Sequence, residues 1–246
     1  MFPYKDENPT VLPPVVTVAI IALNVIAWAV VQGLGTAGPL VRSVCELGLV
    51  PGELLQTVAP GTGTALGPDL ICVVDPQPNY FTLVSSMFLH GGWFHLIGNM
   101  MFLWVFGNNI EDAMGHVKFA LFYLVSGLAA AGAQMAVNPD STIPMVGASG
   151  AVSGVLGAYL VLYPRARIYT FVVLGFFMST VQLPAYVMLG YWIVLQVLGG
   201  LPALAGMEKG GVAFFAHIGG FVAGLVLVKL LETREHRERE GLGTWA

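Results

Sequence analysis

Long apolar stretches with few or no charged residues alternate along the chain with more polar segments. The stretches lie at Pro14 to Gln32 and at residues 82–106, 118–137, 147–163, 183–204 and 213–231. Most approach the roughly 20 apolar residues that an α-helix needs to cross a lipid bilayer. The pattern therefore predicts an all-α, polytopic membrane protein in which six transmembrane helices form a single domain over residues 1–246.

The segments between the spans differ in character. Residues 33–80 are rich in Gly and Pro and predict a long loop, within which residues 40–47 have the spacing of a short amphipathic helix. The apolar segment 168–181 is too short for another crossing, so we expect interfacial or loop structure there. The charged segment from about 232 to 246 predicts a solvated tail.

Composition supports a membrane protein and excludes other classes. Of the 246 residues, 56% are hydrophobic and only 10% are charged, whereas a soluble domain carries about a quarter charged residues. The net charge of −4 is small and does not indicate a polyanionic partner. We therefore expect a lipid bilayer around the chain and no nucleic-acid partner.

The positions of the basic residues predict the orientation of the spans, because cytoplasmic loops collect Lys and Arg. With the N-terminus inside, only Arg42 and Lys209 fall on the outer side. Eight basic residues fall on the cytoplasmic side: Lys5, Lys118, Arg165, Arg167, Lys229, Arg234, Arg237 and Arg239. This distribution predicts cytoplasmic termini and an outer location for the 33–80 loop.

The few polar side chains within the spans are the candidates for chemistry, because each is costly to place in lipid. His95 and Asn99 lie four residues apart in span two and hence on one helix face. Ser149 begins span four and His217 begins span six. The orientation predicted from loop charges places the outer ends of spans two, four and six together. We therefore expect these four residues at one depth, in a polar pocket that faces outward.

These residue types fit an acyl-transfer site. A serine becomes a nucleophile when a neighbouring histidine takes its proton, which predicts Ser149 as nucleophile and His217 as general base. The side chains of His95 and Asn99, with the backbone N–H of Ser149, are suitable donors to an oxyanion. No Asp or Glu lies near this depth in the sequence, so the site is expected to be a dyad.

Small residues predict close packing of spans four and six. A GxxxG pattern joins Gly150 to Gly154 in span four, and another joins Gly220 to Gly224 in span six. In membranes such residues let helix backbones approach closely. Together with Gly147, which precedes the nucleophile, these glycines are expected to bring the serine and the histidine within reach.

The remaining ionisable residues receive no catalytic role. His90 is expected at the solvated outer rim, His116 at a cytoplasmic turn and His236 in the tail. Glu111 and Asp112 fall at the inner end of span two, where they are expected to cap or pin the cytoplasmic turn.

The cysteines and three of the tryptophans are interpreted without a role in chemistry. Cys45 and Cys72 are neither in a CxxC motif nor near a histidine cluster, so they do not predict a metal site. A disulfide on an oxidising face and free buried thiols both remain open for this pair. Trp93, Trp104 and Trp192 are interpreted as interface or packing aromatics.

The polar motifs resemble those of the rhomboid family of intramembrane serine proteases, and the similarity extends across nearly all six spans. Residues 88–100 resemble the HxxxN helix of that family, with His95 and Asn99 at the motif positions. Gly147-Ala148-Ser149-Gly150 is similar to its GxSG motif, and Ala216-His217-Ile218-Gly219-Gly220 to its AHxxG motif. The resemblance implies that Ser149 attacks, that His217 is the base, and that His95 and Asn99 line the oxyanion site.

The resemblance also implies the reaction and its setting. The expected activity is hydrolysis of a peptide bond in or near the outer end of a substrate's transmembrane helix, with no metal or cofactor. Span five is expected to flex to admit the substrate. The compact six-span form suggests a bacterial plasma (inner) membrane, with the active site facing the extracytoplasmic side.

The chain departs from the family pattern at two places. Some relatives have a tyrosine that stacks on the catalytic histidine one turn after the nucleophile, whereas this chain has Ser153, so His217 must be oriented from elsewhere. The first loop lacks the Trp-Arg pair of some members and is lengthened around Pro60 to Pro78. Two alternative functions are a catalytically silent relative that binds transmembrane clients, and a transporter or channel that uses His95 and His217 as a proton relay.

Overall fold

The structure, a computed structural model, describes residues 2–67, 70–174, 177–204 and 211–241. The α-helices are α1 (Val15–Ile26), α2 (Ala37–Leu47), α3 (Pro51–Leu54), α4 (Thr82–Ser85), α5 (Trp93–Met114), α6 (His116–Val137), α7 (Ser149–Leu162), α8 (Ala185–Leu204), α9 (Phe214–Leu231) and α10 (Arg234–Gly241). The strands are β1 (Phe2–Asp6), β2 (Gly63–Gly67), β3 (Leu70–Val73), β4 (Arg167–Leu174) and β5 (Phe177–Pro184). The predicted outer position of Lys209 lies outside the described residues.

Three of the described helices, α6, α8 and α9, are long and apolar enough to cross a membrane. Two shorter apolar helices are α7 and α1, which continues as a π-helical turn to Val31. The prediction for the second span, residues 82–106, was wrong at both ends. Its first residues form α4 and a separate 3-10 turn, and α5 begins only after Gly91-Gly92. Helix α5 then continues to Met114, because its polar inner end is buried against other elements.

Helix α7 lies at the centre of the molecule. Every residue from Gly150 to Tyr159 is buried, and the helix packs against α5, α6 and α9. A helix that is apolar or small on all faces is stable only when it is enclosed. Helix α8 is the opposite case, because among its residues only Ala185, Met188, Leu189 and Gly200 are buried.

The all-α prediction describes the bundle but misses two small antiparallel sheets. In the first, β4 pairs with both β1 and β5, with Phe2 opposite Phe171 and Arg167 opposite Pro184. The segment 168–181, predicted as interfacial or loop structure, therefore forms most of a strand hairpin. Its run of β-branched and aromatic residues favours strands.

The long loop before α4 is folded and cross-linked. Its predicted short helix is present as α2, and a disulfide joins Cys45 of this helix to Cys72 of β3, which pairs with β2. The loop also contacts the segment that precedes α7, because Leu49 forms a β-bridge with Met145 and the Gly52 N–H donates to the Ser141 carbonyl. The disulfide-bonded loop and the start of α7 therefore lie at the same end of the bundle.

Carboxylates of α5 fix the N-terminal segment at the opposite end. Glu111 accepts hydrogen bonds from the backbone N–H groups of Val16 and Thr17, each at 2.8 Å. These are N–H groups that the first turn of α1 leaves without a helical acceptor. Asp112 accepts from the N–H groups of Val11 and Leu12. These two carboxylates were expected to cap or pin the turn after the second span. Glu111 does contact His116 in that turn at 2.6 Å, but the main role of the pair is to hold the N-terminal segment.

The C-terminal segment differs from its prediction as a solvated tail. Helix α10 folds back on the bundle, and Glu232 and His236 are buried. The His236 ring lies between two partners, with Nδ1 2.8 Å from the Glu232 carboxylate and Nε2 2.7 Å from the Tyr163 hydroxyl. Arg239 pairs with Asp112 at 3.3 Å. The prediction of a solvated tail therefore holds for four charged residues of α10 that are exposed, Arg234, Glu235, Arg237 and Glu238. It fails for Glu232 and His236, which are buried against the bundle.

Candidate active site

Ser149 and His217 are in direct contact. Ser149 is the first residue of α7, and its Oγ donates a hydrogen bond to Nε2 of His217 over 2.8 Å. His217 lies in the first turn of α9. Both residues therefore occupy helix starts at the same end of the bundle, where the sequence predicted a common depth.

Glycines bring these two helices together. Gly220 and Gly224 of α9 lie against the backbone carbonyls of Gly150 and Gly154 in α7, which leaves no space for a Cβ at either α9 position. A Cβ on Gly154 would also meet the side chain of Ser126 in α6. The predicted packing role of the paired GxxxG patterns is thus seen in the contacts between backbones.

His95 lies on the other side of Ser149. The N–H of Gly91 donates to Nδ1 of the His95 ring at 3.3 Å, which leaves the ring proton on Nε2. Gly147 separates the ring from the serine, and a Cβ placed there would be 2.7 Å from His95 Nε2 and 3.4 Å from Ser149 Oγ. The φ angle of Gly147, +129°, also favours glycine. Glycine at this position therefore keeps a side chain out of the gap between the His95 ring and the serine hydroxyl.

Asn99 lies one turn beyond His95 on the same face of α5. It is only 7% exposed, and its Nδ2 has no hydrogen-bond partner among the described residues. An unpaired buried amide is costly, so such a group commonly has a functional role. Asn99 lines the same pocket as Ser149.

The pocket at this end of the bundle has a volume of about 760 Å³. Its polar lining includes all four side chains predicted for the site, together with Gln134 and Ser153. Apolar residues such as Trp93, Phe102, Met145 and Trp192 form much of the remaining wall. Among the described residues, no group of three or more His, Cys, Asp or Glu side chains could hold a metal ion. The pocket thus combines an apolar wall with converging polar groups, as ligand-binding clefts do.

Helix α8 contributes two contacts to His217 that the sequence did not predict. The His217 Nδ1–H donates to Oε1 of Gln196 at 2.8 Å, and the Trp192 ring lies beside the imidazole with 5.8 Å between ring centres. Trp192 was interpreted only as an interface or packing aromatic. Ser153, at the position where some relatives have tyrosine, instead donates its hydroxyl to the Ser149 carbonyl at 2.6 Å.

Gln134 of α6 is a second glutamine near the site that was not predicted from the sequence. The Oε1 of Gln134 accepts the backbone N–H of Ala216 at 3.2 Å, next to the histidine of α9. Glutamines within apolar helices are costly in lipid, as histidines are, and this signal could have identified both Gln134 and Gln196.

The prediction that His90 is solvated was wrong. Its side chain is fully buried, and neither ring nitrogen has a partner among the described residues. Gln32 at the end of the first span covers this position, since its side-chain amide bonds both the N–H and the carbonyl of His90 at 2.8 Å. The His90 ring packs edge-on against His95, with 5.1 Å between centres, and so supports a residue of the pocket.

Comparison with known proteins supports the resemblance. The Rhomboid domain matches residues 77–234. The chain is 28% identical over 182 residues to Rhomboid protein 1, mitochondrial, of Saccharomyces cerevisiae, which covers 69% of this chain and 49% of the relative. It is 37% identical over 166 residues to RHOMBOID-like protein 4 of Arabidopsis thaliana, with coverages of 65% and 37%.

A third relative is named as a protease. The chain is 30% identical over 148 residues to Rhomboid protease GluP of Bacillus subtilis, with 60% of this chain and 25% of the relative covered. The chain spans about half or less of the length of these relatives. The domain match covers more than half of this chain, and the apolar helices indicate a multi-pass membrane protein. The chain therefore belongs to the rhomboid family.

Proposed function

We propose that this protein is an intramembrane serine endopeptidase that works through a Ser149–His217 dyad and acts on transmembrane protein substrates. The observation that carries the proposal is the 2.8 Å hydrogen bond from Ser149 Oγ to His217 Nε2. The bond ends on the basic nitrogen of the ring, and the serine faces an open pocket. A nucleophile and a base in this relation are what acyl transfer requires.

The first step forms an acyl-enzyme. As Ser149 Oγ attacks the carbonyl carbon of the scissile peptide, its proton moves to His217 Nε2, and the carbonyl electrons move to the oxygen. The resulting oxyanion occupies the space between the serine and His95. The His95 Nε2–H, the Asn99 amide and the Ser149 backbone N–H are its donors. The unpaired state of the Asn99 amide supports this role, because a substrate oxygen would supply its missing acceptor.

Collapse of the oxyanion breaks the C–N bond, and the leaving amine takes the proton from His217. Water then attacks the ester while His217 accepts one of its protons. The ester bond to Oγ breaks, Ser149 recovers its proton, and the new carboxylic acid leaves. Each proton passes through Nε2 of His217, so the ring must keep one tautomer and one orientation through both halves of the reaction.

The location of the dyad fits a substrate that lies in the membrane. We propose six crossing helices, α1 with its π-helical extension and α5 to α9. Helix α7 has 14 residues, which corresponds to about 21 Å, less than the roughly 30 Å hydrocarbon thickness. A helix that begins at Ser149 would thus begin below the outer surface. The scissile bond would lie in or near the outer end of the substrate's helix.

The disulfide supports the outward orientation. Disulfides persist in oxidising compartments and are rare in the cytosol. The Cys45–Cys72 bond lies in the loop that contacts the segment before Ser149. We therefore propose a plasma (inner) membrane location with both termini cytoplasmic and the dyad on the extracytoplasmic side. The named relatives include mitochondrial and bacterial proteins.

The test is cleavage of a transmembrane substrate by the purified full chain in liposomes, with mass spectrometry of the products. Wild type is expected to produce two fragments with the cut near the outer end of the substrate helix. Ser149→Ala and His217→Ala should produce none while they still bind the substrate. Asn24→Ala, in α1 and away from the pocket, is the control. Cleavage that persists in Ser149→Ala would contradict the nucleophile assignment, and binding without cleavage by wild type would indicate a catalytically silent protein.

A further inference from the structure

The amide of Gln196 has a defined orientation. Its Nε2 donates to the backbone carbonyl of Trp192, one turn earlier in α8, at 3.3 Å. Its Oε1 faces Nδ1 of His217 at 2.8 Å. If the amide were reversed, its NH2 group would face the His217 ring and its oxygen would face the carbonyl oxygen of Trp192. The observed orientation is therefore the one that satisfies both contacts.

This orientation selects the tautomer of His217. A carbonyl oxygen can only accept, so Nδ1 must carry the ring proton, and the lone pair is left on Nε2. Nε2 is the atom that accepts the Ser149 hydroxyl. Gln196 therefore stands in the place where a triad would have a carboxylate, and it performs the same orienting task without a charge.

The other elements next to His217 do not provide this function. Ser153 of α7 uses its hydroxyl on the Ser149 carbonyl, and Gln134 of α6 bonds the Ala216 backbone. Trp192, which limits rotation of the imidazole by packing beside it, comes from α8, as Gln196 does. The hydrogen bond to Nδ1 and the packing contact of the Trp192 ring thus both originate from α8.

We propose that Gln196 is a positioning residue that fixes the tautomer and orientation of His217, so that α8 takes part in the reaction and does not only border the pocket. The proposal rests on the proposed function, because it concerns the base of that dyad. Helix α8 has few buried side chains on its outer half. The base is therefore oriented only while α8 lies against α9 at Trp192 and Gln196.

The experiment measures kcat and KM across pH for two variants in the full-length protein. Gln196→Leu keeps the size of the side chain and removes the acceptor, so kcat should fall about 10- to 100-fold with little change in KM. Gln196→Glu keeps an acceptor and adds a negative charge that favours the protonated imidazole. It should retain more activity than Gln196→Leu, and the acidic limb of its kcat/KM profile should move to higher pH.

Tyr191→Phe is the matched control, because Tyr191 is an exposed residue of the same helix and the change removes one polar atom. It should match wild type in both constants. If Gln196→Leu keeps the wild-type kcat, or if the Gln196→Glu profile does not move, the positioning role is wrong. Failure of the proposed function would look different. Wild type would then not cleave the substrate, or its cleavage would persist in Ser149→Ala. A merely structural role for Gln196 would lower thermal stability in both variants without shifting the pH profile.

Discussion

Gly220 of α9 faces the backbone carbonyl of Gly150 in α7 with no space for a side chain between them. This contact holds the two helices at backbone distance one turn below the Ser149–His217 hydrogen bond. The serine and the histidine come from different helices, so their separation is set by the distance between the helices. The glycine contact thus sets the distance between the serine and the histidine.

Gly220→Ala is expected to separate α7 from α9. The added methyl group would meet a backbone carbonyl, which cannot move aside as a flexible side chain can, and overpacking of this kind costs about 1–3 kcal/mol. We expect a lower thermal unfolding midpoint in detergent and a loss of most peptidase activity.

Gly132→Ala is the matched control, because Gly132 lies in a long helix, α6, with open space around its Cα. Replacing a helical Gly by Ala at such a position stabilises by about 0.4–1 kcal/mol. Equal unfolding midpoints for the two alanine variants would contradict the close contact between α7 and α9.

The Cys45–Cys72 disulfide is expected to stabilise the long loop before α4. It links residues 27 positions apart, and a closed loop of this size corresponds to about 3–4 kcal/mol in the chain-entropy model. Dithiothreitol should lower the unfolding midpoint of wild type. The double variant Cys45→Ala/Cys72→Ala should melt at the lower temperature with or without the reductant. If mass spectrometry shows that dithiothreitol has fully reduced the wild-type protein and the unfolding midpoint is unchanged, the disulfide does not stabilise the protein.

Asn99→Ala is expected to lower kcat without preventing substrate binding. Loss of one oxyanion donor reduces kcat by about 10²–10³ in a comparable site. The KM should change little, because the amide would bond the oxygen most strongly after it becomes charged. Asn24→Ala is again the control, since its amide bonds the Ile20 carbonyl within α1. If KM rises by the same factor and kcat is unchanged, Asn99 binds the substrate in its ground state instead.

Asp6 is expected to make the stability of the inner end depend on pH. Burial raises the pKa of Asp6 to about 6, although its carboxylate accepts hydrogen bonds from Tyr159 and Asn109. A group whose pKa is higher in the folded state favours folding most below its unfolded pKa of 3.8. That contribution is lost as pH rises through about 6.

The unfolding midpoint of wild type should therefore fall between about pH 4 and pH 7 more steeply than that of Asp6→Asn, which cannot ionise. Glu46→Gln, a change of an exposed carboxylate in α2, should keep the wild-type dependence. Identical curves for wild type and Asp6→Asn would show that Asp6 does not contribute to this pH dependence.

Much of the candidate site could be predicted from the sequence, because the signals there are strong. The sequence has few polar side chains near the ends of its apolar spans, and each is costly in lipid, which indicates a functional role. These residues are Ser149, His217, His95 and Asn99. The glycines of α7 and α9 predicted close packing for a similar reason. The structure brings the four polar residues together around one pocket, and it places the glycines in the backbone contact between α7 and α9.

The contacts of His217 from α8 could not be predicted in the same way. A single Gln or Trp in an apolar helix does not indicate which neighbour it faces, because this depends on the rotation of α8 about its axis. The buried state of His90 was missed for a related reason, since it depends on Gln32, 58 residues earlier in the chain. Long-range pairs of this kind are settled by tertiary packing.

The two sheets and the folded tail were missed for another reason. Apolar periodicity distinguishes spans from loops, but short strands such as β1 and β4 become stable only when they pair with each other. The tail has a strongly charged sequence, which predicts exposure. It is nevertheless ordered because His236 and Glu232 find partners beneath the bundle.

The most direct test of the dyad is reaction of the purified protein with a fluorophosphonate, followed by peptide mapping. A serine becomes reactive to this reagent only when a base activates it. Ser149 is expected to be the one modified residue, with no labelling in Ser149→Ala and strongly reduced labelling in folded His217→Ala. Modification of another residue, or equal labelling of Ser149 when His217 is replaced, would show that Ser149 and His217 do not act as nucleophile and base.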